Sequence, residues 1–157
     1  MRRLTLLRHA HAIDALPGQS DFDRSLSAAG GASAVSAAGE LAAAVPPPDL
    51  LLYSPALRTS QTAASVRLNA FPKVRSEESR ALYLATTEQL LAEIADLRDT
   101  DEHVLLVGHN PGISTLCARL TEERGFSGFA PAGWASLLLP IDGWNGILLR
   151  NARAQRA

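Results

Sequence analysis

"LTLLRHAHA", residues 4–12, carries four residues suited to a buried strand straight into an arginine and two histidines. Short, continuous apolar runs of this kind mark strands covered on both faces. Two more follow, at Leu50–Tyr53 and Val104–Val107. Segments of helical period lie between them. Ser27–Ala44 is rich in alanine, and its spacing predicts one face made of Val35, Ala38, Leu41, Ala42 and Val45. Thr86-Thr87-Glu88-Gln89 offers a capping box, followed by the stripe Leu90, Leu91, Ile94 and Leu97. Asn110 is placed as an N-cap with Pro111 at the first helical position, ahead of Ile113, Leu116, Cys117 and Leu120. Strands alternating with helices predict an α/β layered domain. The end differs: "WASLLLPIDGWNGILLRN" (134–151) reads as two antiparallel strands joined through Asp142-Gly143, and "NARAQRA" (151–157) as a fraying tail.

At 157 residues the chain is expected to form one domain, 1–157, large enough to bury roughly 68–70% of its unfolded surface. A net charge of −1 gives no global field for nucleic acid or anionic lipid, so neither is expected as a partner. Any phosphate chemistry must then come from a local cluster of cations. Cys117 is the only cysteine, which excludes an internal disulfide and a cysteine-rich metal site. No run of about 18 apolar residues predicts a membrane span, and the amino-terminal apolar run is too short for a signal peptide. The expected location is cytoplasmic.

Each of the three buried runs ends in polar chemistry: Arg8-His9, then Ser54-Pro55 with Arg58 four residues after the serine, then Gly108-His109-Asn110-Pro111. Ligands of open α/β sheets bind at the carboxyl ends of strands, so three segments converge two arginines and two histidines on one point. Guanidinium forks match phosphate oxygens in pairs. With Ser54 capping a helix begun by Pro55, Arg58 is expected one turn in, beside free backbone N–H groups. His9 is the candidate nucleophile. Two neighbouring arginines disfavour its imidazolium, and a hydrogen bond from Nδ1 to a backbone carbonyl leaves Nε2 to attack phosphorus. Arg8, Arg58 and His109 are expected to hold the phosphoryl oxygens. No metal or other cofactor is required.

At these residues the chain resembles the histidine phosphatase superfamily, also called phosphoglycerate mutase-like. "LLRHAHA" resembles its Arg-His signature, with Ala10 where the family more often has glycine. "YSPALRTSQTA" (53–63) resembles its Ser-Pro-x-x-Arg-x-x-x-Thr segment, and "LLVGHNPGIS" (105–114) its second-histidine segment. "DFDRSLSAAG" (21–30) and "ALYLATTEQLLAEI" (81–94) are similar to the small SixA-type phosphohistidine phosphatases. The resemblance implies a three-layer α/β/α sandwich with a mostly parallel central sheet and an antiparallel C-terminal part. It also implies Arg8, His9, Arg58 and His109 as the phosphate pocket. The implied partner is a histidine-phosphorylated signalling or phosphocarrier protein.

Larger family members place a Glu or Asp proton donor after the third strand, whereas "ALYLATT" (81–87) has no carboxylate. Imidazole, with an ordinary pKa of about 6.5, leaves without the acid that an alkoxide needs. The alternative enzyme, a small-molecule phosphomonoesterase, would need Glu77, Glu78 or Asp14 as that acid. A further alternative is a low-turnover phosphate- or phosphoprotein-binding module, against which an intact His9 argues. His9-x-His11 lacks the further ligands of a metal site. His11 is left as either pocket lining or exposed loop. Asp21-x-Asp23 does not follow a buried strand, as paired aspartate nucleophiles do, and Asp23-Arg24 reads as a loop flanking the site. A Cys117 nucleophile would need an arginine where Glu123 stands. "GFSGFAPAG" (125–133) is a loop and a candidate lid.

Overall fold

A computed structural model describes residues 1–123, 125–149 and 154–156. Among them, strands β1 (Arg2–Arg8), β2 (Leu50–Tyr53), β3 (Arg75–Glu78), β4 (His103–Gly108), β5 (Trp134–Leu139) and β6 (Gln155–Arg156) form one sheet in the order β3-β2-β4-β1-β5-β6. The four strands β3, β2, β4 and β1 run parallel, whereas β5 is antiparallel to both β1 and β6. Helices α1 (Ala28–Ala44) and α2 (Leu57–Asn69) cover one face, and α3 (Thr87–Ala95) and α4 (Gly112–Thr121) the other.

The two-residue period of a strand sorts the core into these layers. Leu4, Leu6, Leu52 and Leu106 face α3 and α4, meeting Leu90, Ile94, Ile113 and Leu116. Leu7, Leu51, Leu105 and Val107 face α1 and α2, meeting Ala38, Leu41, Ala63 and Val66. The three-layer α/β/α expectation therefore holds. Cys117 lies in the α4-side core. At the sheet's edge, β3 reads Arg-Ser-Glu-Glu, a charged strand that discourages pairing with another chain. No helix among the described residues is long and apolar enough to cross a membrane.

Three local expectations are corrected. In α1 the buried face is Ala34, Ala37, Ala38 and Leu41, while Val35 is 50% exposed and Ala42 lies outside. Gly30 sets this roll, because a Cβ there would stand 1.9 Å from the His11 carbonyl oxygen. Only glycine lets the first turn of α1 seat so closely on the loop after β1.

The stretch after Asp142-Gly143 is a short 3-10 helix, Trp144–Leu148, rather than a strand. Trp144 and Ile147 both enter the core beside α3, and residues three apart share a face in a 3-10 turn. The Trp144 indole N–H donates to the Asp101 carbonyl at 2.7 Å. The antiparallel partner of β5 is instead Gln155–Arg156, within the tail expected to fray. Residues 151–153 and 157 of that tail lie outside the described residues.

Gly30→Ala is expected to destabilise the fold by about 1–3 kcal/mol, the cost of forced overpacking. At Gly39 a Cβ would meet nothing within 4 Å, so Gly39→Ala is expected to gain about 0.5–1 kcal/mol in this exposed helical position. Denaturant midpoints of the two variants check both signs.

Candidate active site

The carboxyl ends of β1 and β4 deliver Arg8-His9 and His109 to one cleft of about 300 Å³, and that of β2 places the buried Ser54 behind His109. Arg58, in the first turn of α2, and Asp21 complete its centre. The four residues expected from the sequence are thus brought together. Backbone bonds seat the nucleophile candidate: His9 N–H donates to Gly108 O at 3.1 Å, and Ala10 N–H to Thr62 Oγ1 at 3.1 Å.

Arg58 is 3% exposed and links the cluster. Its Nε donates to His9 Nε2 at 3.2 Å, and Nη2 donates to His109 Nδ1 at 3.3 Å and Asp21 Oδ2 at 3.0 Å. Nη1 donates to the Asp21 carbonyl at 2.7 Å. A guanidinium only donates, so His9 Nε2 and His109 Nδ1 both present lone pairs. The remaining proton of each ring has a partner: His9 Nδ1–H donates to Ala10 O at 2.8 Å, and His109 Nε2–H to Ser54 Oγ at 2.8 Å. The expected bond from His9 Nδ1 to a backbone carbonyl is therefore present. The two rings meet edge to face, centroids 5.2 Å apart.

Burial, then the charges of Arg58 and Arg8, lowers the His9 pKa to about 4. Burial, then Arg58 and His9, lowers His109 to about 3. Both imidazoles are neutral near pH 7. For Asp21, burial acts to raise the pKa, but hydrogen bonds from Tyr83, Arg24 and Arg58 outweigh it and hold the carboxyl at about 2. Those donors are Tyr83 Oη at 2.8 Å, Arg24 Nη1 at 3.0 Å and Arg58 Nη2 at 3.0 Å. Asp21 is an ionised carboxylate beside a buried guanidinium.

Two expected helix starts are placed differently. Helix α2 begins at Leu57 with Ala56 at the N-cap and no side-chain cap, and the Ser54 hydroxyl lies ahead of it, accepting from Ala56 N–H at 3.4 Å and bonding His109. Arg58 is consequently the second helical residue rather than a full turn in. Helix α4 begins at Gly112 with Pro111 at the N-cap. Asn110 instead accepts from Ser114 Oγ at 2.5 Å and donates to Phe129 O at 2.9 Å. That carbonyl also receives Arg8 Nη1 at 2.8 Å. The candidate lid at 125–133 is thereby fastened at Phe129 to two groups of the cleft.

Of the candidate acids, Glu77 and Glu78 stand exposed on β3, Glu77 pairing with Arg75, and neither lines the cleft. Asp14 lines its mouth and faces Arg24 at 3.9 Å. His11 also lines the mouth, with Nδ1 2.9 Å from Ser27 Oγ. Asp23 is exposed, so Asp21 rather than Asp23 joins the site. Sequence reasoning missed Asp21 and Tyr83 as parts of the cluster. The one signal for Asp21 was an acid three residues before Arg24. Nothing in the apolar setting of Tyr83 marked it.

No family model matches the chain. An uncharacterised protein of Mycobacterium tuberculosis is 34% identical over 116 residues, 73% of this chain and 71% of the relative. Among solved structures, the SixA protein of Agrobacterium tumefaciens is 37% identical, covering 87% of this chain and 90% of that one at a TM-score of 0.81. SixA of Nakamurella multipartitia is 28% identical over 99% of this chain and 93% of its own, also at 0.81. A mycobacterial glucosyl-3-phosphoglycerate phosphatase, 20% identical at a TM-score of 0.70, shares the fold over 99% of this chain and 96% of its own. The SixA structures share this fold over most of the chain. The chain belongs to the histidine phosphatase superfamily, and within it to the SixA-type group.

Linkage sets the acid sensitivity of this fold. His9, His109 and also His103, which burial and Arg3 lower to about 4, resist protonation when folded but not when unfolded. Below the ordinary value of 6.5 the unfolded chain binds more protons, so stability is expected to fall as pH drops from 6.5 toward 4. The Asp21 contribution, present above 3.8, is lost as pH falls on toward 2. Denaturant unfolding across this range should show a shallower decline between pH 6.5 and 4 in His9→Gln; equal slopes would contradict the burial of a neutral His9.

Proposed function

We propose that this protein hydrolyses phosphohistidine on a signalling or phosphocarrier protein through a covalent phosphohistidine at His9. One observation carries the choice of substrate: the carboxyl group at the centre of the cleft, Asp21, is held ionised by three donors and has no proton to give. A cleft with a neutral imidazole and no central acid suits a leaving group that departs without strong protonation. Imidazole is such a group, and an alkoxide is not.

In the first step the phosphoryl oxygens take over the Arg58 Nε–H from His9 Nε2, the freed Nε2 lone pair attacks phosphorus, and the P–N bond of the substrate breaks. Its electron pair passes to the leaving imidazole, which departs protonated or takes a proton from water. In the second step water attacks the phosphorylated His9, the new P–N bond breaks, and inorganic phosphate leaves with His9 neutral again. Arg8 and Arg58 neutralise the charge that develops on the phosphoryl oxygens. The Arg8 Nε–H is buried and lacks a partner among the described residues, which supports a role in receiving an anion. For His109 to donate to an oxygen, its proton must sit on Nδ1. The Ser54 hydroxyl allows this, because it accepts from Nε2–H in one tautomer and donates to Nε2 in the other.

The test compares phosphate release from a histidine-phosphorylated phosphocarrier protein and from an aryl phosphomonoester, both in EDTA. Wild type is expected to favour the phosphoprotein, and His9→Ala to lose that release. Release from the ester alone would move the function to small phosphorylated molecules, with Asp14 as the acid to examine. Arg58→Ala is expected to lower kcat/KM at least about tenfold, since one charge-assisted contact contributes about 1.5–3 kcal/mol. Unchanged kinetics would remove Arg58 from the pocket.

A further inference from the structure

Leu84 holds a left-handed backbone conformation, φ 48°, and is 53% exposed at the mouth of the cleft. A bulky residue in this conformation is an outlier, and about half of this leucine stays open to solvent. Its neighbours explain how the conformation is enforced. Tyr83 is pinned inward: its hydroxyl donates to Asp21 at 2.8 Å and its ring meets His109 at 5.6 Å and Phe22 at 5.1 Å. Ala85 is buried, its carbonyl seated on the start of α4 where a Cβ on Gly112 would stand 2.1 Å away. Thr86 then caps α3 with a full capping box. The chain must turn within one residue between two fixed points. Glycine would do so without strain, yet this chain has leucine, and its side chain lines the cleft.

Resting on the reading of the protein as a phosphohistidine phosphatase, we propose that Leu84 is a specificity-determining residue. It supplies an apolar contact for the imidazole ring and adjoining surface of a protein-borne phosphohistidine. The lining of the cleft is mixed, with His11, Asp14, Arg24 and Asn110 around it as well as a small apolar patch. Its floor holds Arg8, Arg58, His9 and His109, which match a phosphoryl group. Ala12 and Pro131 line it together with Leu84 and offer no hydrogen-bonding side chain. On this patch a flat ring carried on a protein surface is matched by apolar contact.

The test measures kcat/KM on a histidine-phosphorylated phosphocarrier protein and on phosphoramidate, which has the same P–N bond but no ring. Wild type, Leu84→Gly and Leu84→Met are compared. Glycine relieves the left-handed backbone, so the unfolding midpoint of Leu84→Gly should be no lower than wild type's. The ratio of kcat/KM for phosphoprotein over phosphoramidate is expected to fall about tenfold in Leu84→Gly, through KM, the scale of half a leucine's burial. Leu84→Met should restore most of it. An unchanged ratio, or an equal loss on both substrates, would overturn the proposal and leave Leu84 a backbone feature. Wild-type turnover of phosphoramidate with none of the phosphoprotein would instead overturn the phosphohistidine-protein reading itself, and this inference with it.

Discussion

A buried guanidinium held between two imidazoles is the constraint on which the rest of the site depends. Arg58 donates to His9, to His109 and to Asp21 from a position almost closed to water. A buried cation is costly unless paired, and Asp21 is its counter-ion. Burial first, and the same cation with it, make an imidazolium at either ring unfavourable, so both imidazoles stay neutral near pH 7. Donation from Arg58 Nε selects the tautomer as well, leaving the lone pair on His9 Nε2 and the proton on Nδ1.

The fold serves this arrangement by bringing distant segments to one edge. Parallel pairing aligns Arg8 with Gly108 and Tyr53 with Val107, so β1, β2 and β4 end side by side. Residues just past those ends, His9 and His109, then point into a shared space, with the buried Ser54 behind His109. The loops are held to the same cluster. Asp21 and Tyr83 bond each other there, and Phe129 is tied by Arg8, Asn110 and Ser114. The Asp21 carboxylate sits against the Arg58 guanidinium as its counter-ion within the cleft.

Much of this was legible in the sequence, where the signal is local. Buried strands announce themselves by short apolar runs, and Leu50–Tyr53 appears with the bounds read from its residues. The polar residues ending those runs named Arg8, His9, Arg58 and His109. What was not legible arises from tertiary competition. Ser54 looks like a helix cap, but α2 starts at Leu57, and the serine hydroxyl is shared between Ala56 N–H and His109. Asn110 looks like a cap and instead ties a loop. The roll of α1 follows from Gly30 meeting His11, which no helical period contains. "WNGIL" alternates poorly as a strand because Trp144 and Ile147 must enter the same side of the core. Asp21 opens a single 3-10 turn, Asp21–Asp23, and Tyr83 closes another, Arg80–Leu82, elements too short for a period to mark them.

Everything proposed for the chemistry turns on a neutral His9 whose Nε2 forms the bond to phosphorus. Its most direct test is rapid mixing with phosphoramidate, quenching in alkali, and locating the trapped phosphoryl group by mass spectrometry and NMR. One phosphoryl group is expected on His9 at Nε2, labile in acid and absent from His9→Ala. Phosphate on His9 Nδ1, which the Ala10 carbonyl holds, or on His11 or His109 during turnover, would contradict it.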